Sequence, residues 1–163
     1  VMFQDYQKYA LTLAENIAIQ ELSPHSPEKI AELIEELELR VVPENEVLGR
    51  EFGNFDLSGG QWQRVALARL YYQDGQVLIL DEPTSAIDPL HEKALNDFIL
   101  RKKRLDQTLV IISHRLSVAK QADRVFVLND GGIAEQGTHE ELIRDEGSLY
   151  GRLWAAQVGW YQN

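Results

Sequence analysis

LSGGQWQRVALARL, residues 57–70, sets two adjacent glycines at the start of what reads as a long helix. Glycine costs a helix about 1 kcal/mol relative to alanine, so a pair at the N-terminus is expected where the backbone must closely approach something. A helix N-terminus with bare N–H groups is also an anion site. The competing reading of the same residues is a loop closed by Ser58 as an N-cap. The stretches on either side decide between them.

Downstream, VLIL (Val77 to Leu80) is a short continuous apolar run of the kind found in buried parallel strands, and Asp81 and Glu82 stand at its C-terminal end. Ligand sites in open α/β sheets lie at such ends. A helix is expected from Pro89, capped by Asp88, with Leu95, Phe98 and Ile99 turned inward. A second buried strand, LVII, then runs into Ser113 and His114. RVFVLNDGGIAEQG resembles a hairpin turning at Asn129 to Gly132, and THEE (Thr138 to Glu141) is a capping box that opens a helical tail.

Upstream, VMFQDY reads as the end of a buried strand followed by a polar turn, and TLAE (Thr12 to Glu15) as a capping box. SPEKIAELIEELEL carries the clearest amphipathic pattern. Ser26 is the N-cap, Pro27 the first helical residue, and Ile30, Leu33, Ile34 and Leu37 recur at helical spacing. Val41 to Asp56, with Pro43, Gly49 and Gly53, reads as a loop. Two sub-regions result: a mostly helical one over residues 1–76 and an α/β one over 77–163.

Composition narrows the classes. A chain of 163 residues can bury roughly 70% of its unfolded surface, and 44% hydrophobic with 26% charged residues is ordinary for a globular protein. Sixteen basic against twenty-six acidic residues, a net charge of -10, argues against a nucleic-acid surface. The one basic run, Arg101 to Arg104, falls in the last turns of a helix, where cations suit the dipole. Without cysteine there is neither a disulfide framework nor a thiolate metal site. No apolar run approaches the roughly 20 residues that span a bilayer. Val at position 1, followed at once by strand-like residues, suggests a chain cut from something longer.

A strand that ends in Asp-Glu suits a nucleotide's metal and an attacking water: one carboxylate holds the ion and its neighbour accepts the proton. The alternative is that Asp81 starts a turn and Glu82 is a solvated charge. His114 after a strand either hydrogen-bonds a loop or meets a ligand.

Taken together, these motifs resemble the nucleotide-binding domain of ATP-binding cassette (ABC) transporters along the whole chain. LSGGQ matches that family's signature motif, VMFQDY its Q-loop with Gln4, VLILDEP its Walker B strand, SAIDP its D-loop with Asp88, and IISHR its switch region with His114. The fold implied is a partial P-loop NTPase, a helical signature subdomain beside part of a mostly parallel RecA-like sheet. The function implied is an ATP-hydrolysing domain that drives export across a membrane.

In the family, two such domains pack head to tail, with each ATP between the phosphate loop of one and the signature motif of the other. The resemblance therefore implies that Ser58, Gly59, Gly60 and Gln61 touch a γ-phosphate held by a second domain. It implies that Asp81 binds Mg²⁺ through water, that Gln4 senses the metal and water near the membrane domain, that Glu82 activates the water and that His114 contacts the γ-phosphate. Asp88 is implied as a subunit-crossing contact, and its role as a helix cap is equally consistent. The implied cofactors are ATP and Mg²⁺. The implied partners are a second ATPase domain and a transmembrane domain, which puts the chain at the cytoplasmic face of the membrane.

One departure concerns the phosphate loop, G-x-x-x-x-G-K-[ST]: none of the eleven glycines precedes a lysine. The resemblance covers roughly the last two-thirds of a whole domain, so the chain by itself is expected to be inactive. FQDYQKYALTLAENI and EQGTHEELIRDEGSLYGRLW look most like exporters. A non-transport ABC-type ATPase, regulatory, translational or DNA-repair related, is the alternative. The repair class inserts long coiled coils, and the stretch between Gln4 and Leu57 holds no sustained heptads. Trp62 reads as packing on the helical sub-region, and His25, His91 and His139 as surface or capping residues.

Overall fold

The computed structural model describes residues 1–19, 26–43, 45–49 and 55–160. The chain forms two compact units, Val1–Ile112 and Ser113–Asn163. In the first lie helices α1 (Leu13–Ile17), α2 (Pro27–Glu36) and α3 (Gly59–Gln73), strand β1 (Val77–Asp81), helix α4 (Pro89–Lys102) and strand β2 (Thr108–Ile112). The second holds helix α5 (Leu116–Ala119), strands β3 (Val125–Asn129) and β4 (Gly132–Gly137), and helices α6 (His139–Arg144) and α7 (Leu149–Trp160).

The first unit is organised around α3. Every residue of α3 from Val65 to Tyr72 is buried, as are Trp62 and Gln63, because α1 and α2 pack against this helix. Each fully buried Leu or Val contributes about 1.5–3 kcal/mol. Such a helix must sit inside the unit. The amphipathic reading of α2 holds: Ser26 accepts from the Lys29 amide, and Ile30, Leu33 and Leu37 are buried with Ile34 packed at the edge. The Thr12 capping box is formed as well. Residues 44 and 50–54 of the expected loop, and His25, lie outside the described residues.

Strand β1 pairs in parallel with β2, Leu78 opposite Leu109 and Leu80 opposite Ile111. On its other edge Met2 bridges Leu80, also in parallel, through Met2 N–H to the Ile79 carbonyl (2.8 Å) and Asp81 N–H to the Met2 carbonyl (2.9 Å). The expectation of fully buried strands is corrected here. Met2, Leu78 and Leu80 share one face and join the core with α3 and α4 residues, whereas Val77, Val110, Ile112, Val1 and Phe3 are exposed. Successive strand side chains point to opposite faces, and among the described residues of this unit only one face is covered. Leu95, Phe98 and Ile99 of α4 turn inward as expected.

The second unit contains the expected hairpin. Asn129 faces Gly132 across a turn in which Asp130 (φ 48°) and Gly131 (φ 77°) are both left-handed, the conformation a tight hairpin needs. A register irregularity falls between Val127 and Leu128. Val127, Leu142 and Tyr150 form a small core, while Phe126, Leu128 and Ile133 are exposed. The THEE box caps α6 as read. His139 is corrected: it is buried, 2.8 Å from the Tyr150 hydroxyl and edge-on to Trp154. Its position just after the Thr138 cap turns it toward the face α7 covers. Among the described residues no helix is long and apolar enough to cross a membrane.

Candidate functional site

The parallel alignment of the Met2 segment, β1 and β2 brings three chain ends to one edge of the sheet. Asp81 and Glu82 leave β1 there, both half-buried, and Gln4 follows Met2 by two residues and is exposed. Glu82 is backbone-anchored: its N–H donates to the Ile112 carbonyl at 2.9 Å, and its own carbonyl accepts from Ser85 N–H at 3.1 Å. Its φ of 49° lies in the left-handed region, which a side chain with a Cβ disfavours by about 1–2 kcal/mol.

Ser58 is the N-cap of α3. Its hydroxyl accepts from the Gln61 N–H at 3.2 Å, and the Gln61 side-chain oxygen accepts from the Ser58 N–H at 2.8 Å, a reciprocal capping box that starts α3. The glycines have an intramolecular reason too. A Cβ on Gly60 would lie 3.2 Å from both the Ala86 carbonyl oxygen and Ile87 Cδ1, so the helix start and the 83–88 turn approach closely. At Gly59 the nearest atom is Ala86 Cβ at 3.8 Å, an ordinary contact. Gly59 is exposed, and its N–H stands at the helix N-terminus.

Asp88 acts as the cap of α4. Its carboxylate accepts from the His91 N–H at 3.3 Å and lies 2.7 Å from His91 Nδ1, which accounts for His91 as an exposed capping partner. Trp62 is 1% exposed and donates from its indole to Asp56 at 3.3 Å, so it is a core group. His114 belongs to the second unit. It is exposed, and its carbonyl accepts from the Gln157 amide at 2.6 Å, tying the segment after β2 to α7.

Three residues that sequence reasoning passed over connect these parts. The Tyr6 hydroxyl donates to the Gly59 carbonyl at 2.9 Å. Arg69, buried in α3, donates to the Asn16 carbonyl at 2.7 Å, to the Asn16 side chain and to the Gln7 carbonyl, with the Tyr9 ring against its guanidinium. Gln63 is 1% exposed and spends its whole amide on residues 82–86. A polar residue inside an otherwise apolar helix run, VALARLYY, was the signal available for Arg69; Gln63, next to Trp62 and Arg64 and close to Gln61, carried none.

The donor set at the strand ends is oxygen: the Asp81 carboxylate and the Gln4 side-chain carbonyl. That fits Mg²⁺, which takes one or two protein oxygens and completes its shell with water and phosphate. Among the described residues no group of three or more His, Asp or Glu could cage a metal by itself. Two residues of the basic run are used internally: Lys102 pairs with Glu32 and Glu36, and Arg104 with Asp74 and Asp106.

Parallel strands, one of them ending in the Asp81–Glu82 carboxylate pair, beside a glycine-led helix N-terminus fit an α/β fold of the nucleotide-binding type. Comparison with known proteins gives the family. Residues 1–85 match the family described as ABC transporter. The chain is 38% identical over 152 residues to the nisin transport ATP-binding protein of Lactococcus lactis subsp. lactis, covering 88% of this chain and 25% of that protein. It is 41% identical over 154 residues to the ATP-dependent lipid A-core flippase of Vibrio vulnificus (strain YJ016), covering 91% and 26%. The solved structure of a bacterial Atm1-family ABC exporter with ATP bound superposes with a TM-score of 0.82 at 30% identity, over 95% of this chain and 28% of the exporter. The chain belongs to the ABC transporter family, with the partial P-loop NTPase fold expected of it. It spans about a quarter of the length of these relatives.

Proposed function

We propose that this chain is the signature- and Walker B-bearing part of the ATP-hydrolysing domain of an ABC exporter. The carrying observation is the placement of Asp81 and Glu82 at the end of β1, with the Met2 segment and Gln4 on one edge and β2 on the other. The relatives support a transport role, one named for nisin transport and another as an ATP-dependent flippase, and the structure that superposes on the chain is named as an exporter.

In this reading Asp81, with Gln4, would hold Mg²⁺, and the ion would supply charge neutralisation on the phosphates. Glu82 takes the proton of the attacking water as its oxygen bonds to the γ-phosphorus, and the bond to the ADP oxygen breaks. His114 contacts the γ-phosphate. Ser58, Gly59, Gly60 and Gln61 serve the ATP of a second domain, packed head to tail, and Asp88 lies near the subunit boundary as well as capping α4. Residues 1–76 form the signature subdomain and residues 77–163 the catalytic portion. A transmembrane domain is the second partner, which places the chain on the cytoplasmic face. The chain alone, with no glycine preceding a lysine, is inactive.

The test is Glu82→Gln in the full-length protein, measuring ATP turnover and ATP-dependent association of the two ATPase domains. Turnover falls about 10²- to 10⁴-fold while ATP binding survives and the paired state accumulates. Near-normal turnover rejects Glu82 as the base. Lost turnover without pairing rejects the shared site.

A further inference from the structure

Gln63 sits in the second turn of α3, one residue past the LSGGQ box and its following Trp62. Its side chain is buried at 1% exposure. All of its hydrogen bonds reach one short turn: Nε2 donates to the Glu82 carbonyl at 3.0 Å and to Ser85 Oγ at 3.3 Å, and Oε1 accepts from the Ala86 N–H at 3.1 Å. A buried primary amide that is satisfied only this way is expensive to move, because withdrawal strips its own donor and acceptor of partners, takes the Ala86 N–H from its acceptor and leaves the Glu82 carbonyl with the Ser85 N–H alone of its two described donors. Its target is also the strained point of the site, since Glu82 holds φ at 49°. Strain of that kind persists only where neighbours over-determine it.

We propose that Gln63 is a positioning residue for Glu82, a latch that makes the direction of the catalytic carboxylate depend on where the signature helix sits. This rests on the reading of Glu82 as the base. The Gly60 approach to Ala86 and Ile87 is the steric half of the same junction, and the Gln63 amide is the polar half. A displacement of α3 draws on the Glu82 carbonyl and the Ala86 amide together, so the Ser58–Gly60 end of the helix and the base move as one body. The signature motif thus acts on its own domain's Glu82 in addition to the ATP of the second domain.

The experiment uses the full-length protein with Gln63→Met, which keeps length and loses every hydrogen bond. The kcat for ATP falls about 10- to 100-fold, while KM and ATP-dependent domain pairing stay within about two-fold. Combination with Glu82→Gln separates latch from scaffold: Gln63→Met costs no further single-turnover rate in that background, because the group it aims is gone. Losses that multiply, or an unchanged kcat, overturn the proposal. Turnover retained by Glu82→Gln alone overturns instead the reading of Glu82 as the base. Hydrogen exchange resolved to single amides in the unsubstituted protein is independent of any variant's folding. The Ala86 N–H, on an exposed residue, is protected; exchange there at the rate of an open peptide overturns the latch.

Discussion

The Tyr6 hydroxyl donates to the Gly59 carbonyl at 2.9 Å, joining two residues 53 positions apart. Through this bond the segment after Gln4 touches the first helical residue of the signature stretch. Partial burial pushes the Tyr6 phenol above its ordinary pKa, so it stays a donor throughout the physiological range. Replacing Tyr6 by Phe keeps the ring and removes the bond. The expected loss is about 0.5–1.5 kcal/mol in urea unfolding, with earlier exchange of the amides of α3's first turn. Unchanged stability and unchanged exchange would falsify this link.

Gly59 and Gly60 separate cleanly by substitution with Ala. At Gly60 the new methyl meets a backbone carbonyl and Ile87 at 3.2 Å, and the backbone partner cannot swing away. Stability falls by about 1–3 kcal/mol. At Gly59 the new methyl makes only an ordinary contact with Ala86 Cβ at 3.8 Å, so Gly59→Ala folds within about 0.5 kcal/mol of the parent. Under the proposed function it instead weakens ATP-dependent pairing. Equal midpoints for the two variants in chemical denaturation would contradict the geometry.

Arg69→Met removes a guanidinium from the interior and strands the acceptors it served, the Asn16 and Gln7 carbonyls. Hydrogen bonds to a charged donor are individually strong, and unpaired buried acceptors are costly, so the expected loss is about 3 kcal/mol. A thermal or urea midpoint near the parent's shows that the Gln7–Tyr9 segment is held by something else.

Glu135 reaches from β4 to the start of α7. The N–H groups of Tyr150 and Leu149, with the Ser148 hydroxyl, hold its carboxyl below the usual carboxylate range. A depressed folded-state pKa means the stabilisation is complete above the unfolded value of about 4.3 and is lost as pH falls through the folded value. Protection of the Leu149 and Tyr150 amides, corrected for intrinsic exchange, therefore declines as the pH falls below the ordinary carboxylate range. In Glu135→Gln that acid-side step disappears. A step of the same size in both proteins assigns it to another group.

Local grammar was readable because it is short-ranged. The Thr12–Glu15 and Thr138–Glu141 boxes, the Ser58 cap, the Ser26–Pro27 helix start and the Asn129–Gly132 turn each depend on residues within four positions of one another. Burial was read less well. Apolar runs such as LVII carry the same letters whether one face or both are covered, and the exposed Val110 and Ile112 reveal one. His139 was misread for the same reason, since nothing near it in the chain announces Tyr150 and Trp154.

What the sequence alone determined is the position of the chemistry: a carboxylate pair after a strand, a glycine pair opening a capped helix, and motifs in an order that one family shares. Those features follow from backbone periodicity and from side chains bonding to their own turn of chain. Tertiary structure alone decided how the parts are joined. Gln63 meets the Glu82 carbonyl from 19 positions away, and Arg69 gathers Gln7 and Asn16 across more than 50. Such contacts exist only once the core has packed, because the helix that carries both side chains must first be enclosed before its polar groups have anywhere to bond.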